Sequence, residues 1–149
     1  MAKVLSINVS PGGIPKLPVG SCALIVNGFV GDGRDHDKHR TPDRAVSLID
    51  QEILDQLTAE GYEVPWGAVG ENLTVKQLDV QSLEPNDRLV FSGGAVIELF
   101  EGRRPCFVLD PLGVNLKKDI VGRCGYLARV LTEGVITTGE TIEVQKADT

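Results

Sequence analysis

Long apolar runs are missing from this sequence. The longest, such as Ala23–Val26, cover only a handful of residues, far short of the ~20 that a bilayer-spanning helix needs. The stretch Met1-Ala2-Lys3-Val4-Leu5 meets polar Ser6 and Asn8 too soon for a signal peptide. Cysteine is scarce. Cys22, Cys106 and Cys124 make an odd count with no C-x-x-C pair, which disfavours a disulfide framework or a zinc knuckle. The expected compartment is therefore the reducing cytoplasm. An excess of basic residues is also lacking. Fifteen Lys and Arg face 21 Asp and Glu, for a net charge of −6, so neither a nucleic acid nor a membrane is an expected partner. Pro11-Gly12-Gly13-Ile14-Pro15-Lys16 fits neither Walker A nor the dinucleotide fingerprint, although its amides and Lys16 could hold an anion as a nest. A serine nucleophile elbow is absent.

What is present is ordinary globular composition, 42% hydrophobic and 24% charged over 149 residues, enough for one domain, 1–149, with a core of its own. The 17 glycines and eight prolines are spread along the chain and mark no domain boundary. Short β-prone stretches separated by turn residues dominate. Lys3–Val9 alternates Val4, Ser6 and Asn8 against Leu5, Ile7 and Val9, so one face can be buried. Ser21–Phe29, Ala45–Ile49, Asn72–Val75, Tyr126–Leu131 and Thr141–Val144 read as further strands, and Asp87–Phe91 with Ala95–Phe100 as a hairpin around Ser92-Gly93-Gly94. Ile49, Ile53 and Leu57 recur at helical spacing, with Asp50 or Ser47 to cap the start and Gly61 to end it. Leu116–Val121 is weakly helical. About eight short strands with one or two helices predict a mainly β fold, a small closed or partly open barrel.

Charge is unevenly placed. Between Gly102 and Arg129 six basic residues outnumber two acids, so this window carries +4 while the rest of the chain carries −10. Such an island favours an anionic small molecule over a polymer. Cys106 lies inside it, directly after Arg103-Arg104-Pro105. Nearby guanidinium charge favours the thiolate, which attacks electrophiles and binds soft metals. An inert thiol in a surface turn fits the same composition. Cys22 opens an apolar strand and reads as core packing, and Cys124 as a small residue in a tight turn. His36 and His39 share a polar loop with Arg34, Lys38 and Arg40, whose charges would repel a cation. The loop reads as solvated, or as folding over an anion through Lys38, His39, Arg40 and Arg44.

Five short motifs then stand in one order: Ser10-Pro11-Gly12-Gly13-Ile14-Pro15-Lys16, Pro42-Asp43-Arg44-Ala45-Val46, Gly70-Glu71-Asn72-Leu73, Arg104-Pro105-Cys106, and Gly122-Arg123 followed by Ala128-Arg129-Val130-Leu131. Together they resemble the MOSC domain, the C-terminal domain of molybdenum cofactor sulfurases, which also exists as a stand-alone protein. The resemblance runs from about Val4 to Val144. It implies a β-barrel related to that of pyruvate kinase. It also implies a molybdenum-cofactor or sulfur-handling role centred on Cys106, which in enzymatic relatives ligates molybdenum at a site that reduces N-hydroxylated compounds. Arg104 would stabilise the thiolate. Lys16, His39, Arg44, Glu71, Asn72 and Arg123 would be cofactor-binding positions. The chain departs from the family's His-Gly-Gly-Pro element, having His39-Arg40-Thr41-Pro42 instead.

The resemblance leaves two classes of function open, beside a degenerate scaffold domain with neither. One is a molybdenum-dependent oxidoreductase served by an external electron donor, since no flavin or iron–sulfur motif is present. The other is a non-catalytic persulfide carrier or cofactor-binding module, served by a partner such as a cysteine desulfurase. Lacking the extra domains of larger relatives, a lone domain could complete its pocket as a homo-oligomer.

Overall fold

In the computed structural model, residues 1–12, 15–33, 42–105 and 107–147 are described. Thirteen elements follow one another: β1 (Lys3–Val9), β2 (Leu17–Val19), β3 (Ser21–Ile25), β4 (Gly28–Phe29), β5 (Val46–Asp50), α1 (Gln51–Ala59), β6 (Leu73–Lys76), β7 (Arg88–Phe91), β8 (Val96–Gly102), α2 (Leu116–Asp119), β9 (Tyr126–Thr132), β10 (Gly134–Thr137) and β11 (Ile142–Gln145). Short 3₁₀ turns at Pro42–Arg44, Val80–Ser82 and Phe107–Leu112 link them. Eight strands form one sheet in the order β11-β7-β8-β9-β5-β6-β1-β2, and three form a second, β10-β3-β4. The large sheet curls until its ends meet in part. Lys3 bridges Thr141, and the amides of Val4 and Ile142 donate to Glu140 and Ala2. This is a partly open β-barrel, as expected from the spacing of the strands.

The element limits differ from the sequence reading in three places. Ser21–Phe29 is two strands, not one, because a turn at Val26-Asn27 reverses the chain into a hairpin whose return strand opens on Gly28 at φ +116°. Leu17–Val19 and Gly134–Thr137 are strands too short for alternation to reveal. On β1, the pairing with β6 slips between Val4 and Ser6. That bulge turns Val4 and Ile7 to the same side. Both join the barrel interior with Leu48, Leu73, Phe91 and Leu99, whereas Ser6 and Asn8 face the other way and are also buried.

The outer face is covered because a second apolar cluster packs on it. Ile49 of β5 meets Leu54 and Leu57 of α1, Val69, and Leu109, Leu116, Ile120 and Cys124. All five residues of β5 are therefore buried. Helix α1 ends as predicted. Gly61 sits at φ +103°, its amide bonds Thr58 and that of Tyr62 bonds Leu57, the double closure that a left-handed residue permits. Asp50 occupies the N-cap position without capping. Its carboxylate instead accepts the amides of Leu78, Asp79 and Val80 at 3.0, 2.8 and 2.8 Å, tying the strand to the loop after β6. No helix among the described residues is long and apolar enough to cross a membrane.

Candidate functional site

Between the sheet and its outer cover lies a layer of buried polar side chains. Ser6 donates to Asn8 Oδ1 at 2.7 Å, Asn8 Nδ2 to Thr74 Oγ1 at 3.0 Å, and Thr74 to Glu71 Oε2 at 2.9 Å. The Gly67 amide adds a second donor to Glu71 Oε2 at 3.1 Å. Asn72 clips three segments together. Its Oδ1 accepts the Ser47 amide at 3.0 Å, and its Nδ2 donates to the Asn8 carbonyl and to Asp32 Oδ2 at 3.2 and 2.9 Å. Asp32 in turn accepts the Ser10 amide at 3.0 Å and Lys16 Nζ at 2.6 Å, and its side chain is 1% exposed. One carboxylate thus joins the turn after β4, the β1–β2 loop and the turn before β6.

Close backbone approach makes this layer possible. Gly67, at φ +86°, lies so near the β1–β2 loop that a Cβ there would be 2.0 Å from the Lys16 carbonyl oxygen. The two residues also share a backbone hydrogen bond, from the Lys16 amide to the Gly67 carbonyl at 2.9 Å. A side chain at 67 would push the loop off the turn that presents Glu71. Beyond the loop is a groove of about 700 Å³ lined by Leu17, Tyr62, Pro65 and Trp66.

Two buried polar atoms among the described residues have no hydrogen-bond partner, Glu71 Oε1 and Arg103 Nη1. Burial raises the Glu71 carboxyl above its ordinary value, against the pull of its donors and of the Arg103 charge. Arg103 follows directly on β8, and its amide is fixed to the Gly125 carbonyl at 2.9 Å. Strand β8 therefore delivers Arg103 inward and then leads into Arg104, Pro105 and Cys106.

The sequence candidates fall in different places. Glu71, Asn72 and Lys16 share the buried layer, but Lys16 is already paired with Asp32. Arg44 bridges Glu101 at 2.9 Å at the surface beside β8. Arg104 is exposed, and it is Arg103 that turns inward. Arg123 is not brought to this layer. It forms an ion pair with Glu60 at 2.7 Å and also contacts Gln56 and the Asp119 carbonyl, tethering the end of α1. Cys106, His36 and His39 lie outside the described residues. Cys22 is half-buried, and its thiol donates to the Val30 carbonyl at 3.2 Å. Burial, then the Asp32 charge, keeps its pKa high. Cys124 sits in the bend after α2, its side chain buried in the outer cluster. Among the described residues no three His, Cys, Asp or Glu side chains gather as a metal site.

Sequence reasoning missed Asp32, Arg103, Asn8, Ser47 and Thr74. Asp32 stands between two glycines, Gly31 and Gly33, where local sequence shows only a turn. A usable signal was the polar pair Ser6 and Asn8 within an otherwise apolar strand, which marks a face with buried polar partners rather than a wet one.

Comparison with known proteins agrees with this architecture. The model of the MOSC domain family matches residues 35–143. YflK of Bacillus subtilis is 34% identical over 141 residues, covering 89% of this chain and 62% of its own length. A reductase of Gibberella moniliformis is 31% identical over 127 residues, 78% of this chain and 22% of that protein. The chain thus spans less than two thirds of either relative. Among solved structures, YuaD of B. subtilis superposes with a TM-score of 0.83 at 18% identity, covering 99% of this chain and 98% of that one. YiiM of Geobacillus stearothermophilus gives 0.79 at 28%, covering 98% and 76%. This chain belongs to the MOSC domain family.

Proposed function

We propose that this protein is a small molybdenum-cofactor-dependent reductase of N-hydroxylated compounds, acting in the cytoplasm with Cys106 as the metal's protein ligand. The observation that carries the reading is a buried donor left without a partner, Arg103 Nη1, directly after β8 and three positions before Cys106 in the sequence, with a second unpartnered buried atom, Glu71 Oε1, in the turn before β6. A fold that satisfies its other buried side chains here leaves these two for something else. The match to a reductase supports the same class.

The residues present fit such a group. A phosphorylated dithiolene cofactor needs cationic donors near a soft sulfur ligand, and Arg104 and Cys106 are two positions apart. Arg104, exposed and without an ion pair among the described residues, favours the Cys106 thiolate. Arg44, by exchanging its Glu101 partner, and His39 would hold the anionic end. Lys16, its charge balanced by Asp32, shapes the β1–β2 loop instead of supplying net charge. Asn72 fixes the loops around the site, and Glu71 and Arg103 present hydrogen-bonding atoms to it. When bound, molybdenum supplies the two-electron step. The overall change takes an N–OH group, two electrons and two protons to N–H and water, with the electrons from an external redox partner.

The test is reduction of a simple amidoxime by the purified protein, made in a host with intact molybdopterin synthesis and supplied with a low-potential electron donor. The wild type should turn over and Cys106→Ser should not. Should neither turn over while Cys106 gains ~32 Da, one sulfur, after incubation with a cysteine desulfurase, the protein is a persulfide carrier and the reductase reading is wrong.

A further inference from the structure

The groove beside the β1–β2 loop takes no part in the chemistry proposed above, and its walls have an electrostatic character of their own. We propose that it binds a small organic cation with an aromatic body, an arylalkylammonium ion, held against Tyr62 and Trp66 and beside Glu63.

The aromatic walls are fixed in advance. Trp66 Nε1 donates to Gln51 Oε1 at 2.6 Å, and the Tyr62 hydroxyl donates to Asp119 Oδ2. Both polar tips are spent within the chain, so what remains for a ligand is ring surface. Gly113 packs so closely on Tyr62 that a Cβ there would be 2.9 Å from ring Cε1. Trp66 nevertheless stays 41% exposed. Pro15, Pro18 and Pro65 line the same groove and stiffen it. Its volume of about 700 Å³ falls within the roughly 300–1,000 Å³ of small-molecule sites, far more than a bare ion fills.

Charge then selects the occupant. Among the described residues that line the groove, two carry formal charge, Lys16 and Glu63. Lys16 is balanced by Asp32 at 2.6 Å. Glu63 is exposed and enters no ion pair among the described residues. The groove therefore presents one uncompensated carboxylate beside two rings whose faces are themselves electron-rich. An anion is repelled by all three. A neutral apolar molecule uses the rings and leaves the carboxylate idle. An aromatic cation engages both.

An added peptide strand is the rival occupant, because Leu17 and Pro18 of β2 line the groove and β2 ends the large sheet. The backbone argues against it. Asn8 gives its amide to Asn72, on the β6 side of β1. Its cross-strand partner Pro18 is therefore the position of this three-residue strand whose backbone faces outward, and proline has no N–H to offer there.

Trp66 is the single tryptophan of the chain, so its fluorescence reports on this groove alone. The experiment titrates the intact protein with benzyltrimethylammonium, benzyl alcohol and phenylacetate, one ring type as cation, neutral molecule and anion. The cation should give a saturable change, binding at least ~fivefold more tightly than the alcohol, and phenylacetate should give none. Glu63→Gln should weaken the cation ~three- to fivefold and leave the alcohol unchanged. Glu143→Gln, which removes the same charge from an exposed position on β11, should alter neither. Followed by amide NMR shifts, Trp66→Leu should weaken the cation at least ~fivefold. Absence of a response to the cation, equal binding of cation and alcohol, tighter binding of phenylacetate, or an equal loss in Glu143→Gln would overturn the proposal. So would a fluorescence change that follows protein concentration together with dimerisation in sedimentation, which assigns the groove to a second copy of the chain. None of these readouts involves molybdenum or turnover, so the reductase reading and this one fail separately.

Discussion

Replacing Asp32 by alanine should unfasten the site from the barrel. The carboxylate is 1% exposed and its partner Lys16 is 11% exposed. Deleting one member of a buried pair strands the other charge, at a cost of about 3–5 kcal/mol. Lys16 can extend its stem and recover some hydration, which places the electrostatic loss at the lower end. The Ser10 amide and Asn72 Nδ2 also lose their acceptor, adding up to about 1 kcal/mol each where water does not replace it. A total near 3–4 kcal/mol is expected. Urea unfolding followed by circular dichroism reads it as a midpoint lowered by ~1–4 M, given slopes of ~1–3 kcal/mol/M. Lys16→Met in the Asp32→Ala background should recover part of the loss, because the stranded charge is gone. A loss below ~1 kcal/mol, or two losses that simply add, would refute the view that Asp32 and Lys16 work as a buried unit.

Glu71→Gln should flatten the dependence of stability on pH. Burial raises the Glu71 carboxyl in the folded chain, so the folded state holds a proton that the unfolded state releases. That contribution is full below the unfolded value of 4.5 and is lost as pH rises through the folded value. Urea unfolding at a series of pH values, wild type against variant, measures the difference. Asp87 works in the opposite sense. Burial alone would raise it, but Lys146 and the amides of Ala147 and Glu84 hold it down at about 2. Its stabilising contribution is present above 3.8 and falls away as pH drops toward 2. Lys146→Met should raise the Asp87 midpoint in an NMR titration. Gly67→Ala, which would set a Cβ 2.0 Å from the Lys16 carbonyl oxygen, should cost at least ~2 kcal/mol in thermal or urea unfolding.

Much of the barrel is written in local pattern. Alternation placed β1, β6 and β9 within a residue or two, and the Gly61 stop of α1 follows from glycine's access to positive φ. Where local pattern fails, a tertiary partner is the reason. Asp50 looks like a cap until the loop at 78–80 arrives with three amides for it. The bulge in β1 answers to its register with β6, which no single strand reveals. Of the candidate site, the motifs singled out Glu71, Asn72 and Lys16, which the fold brings into one buried polar layer. Asp32 and Arg103 were opaque because their roles arise from residues far away in sequence. An Arg103-Arg104 pair holds no sign of which guanidinium turns inward. That is decided by the hydrogen bond from the Arg103 amide to Gly125.

The most direct measurement of the central claim is the molybdenum content of the intact protein, purified from a host with active molybdopterin synthesis. The account predicts near one metal per chain in the wild type and almost none in Cys106→Ser, with folding unchanged by circular dichroism. Metal retained in Cys106→Ser, or absent from the wild type, would contradict it.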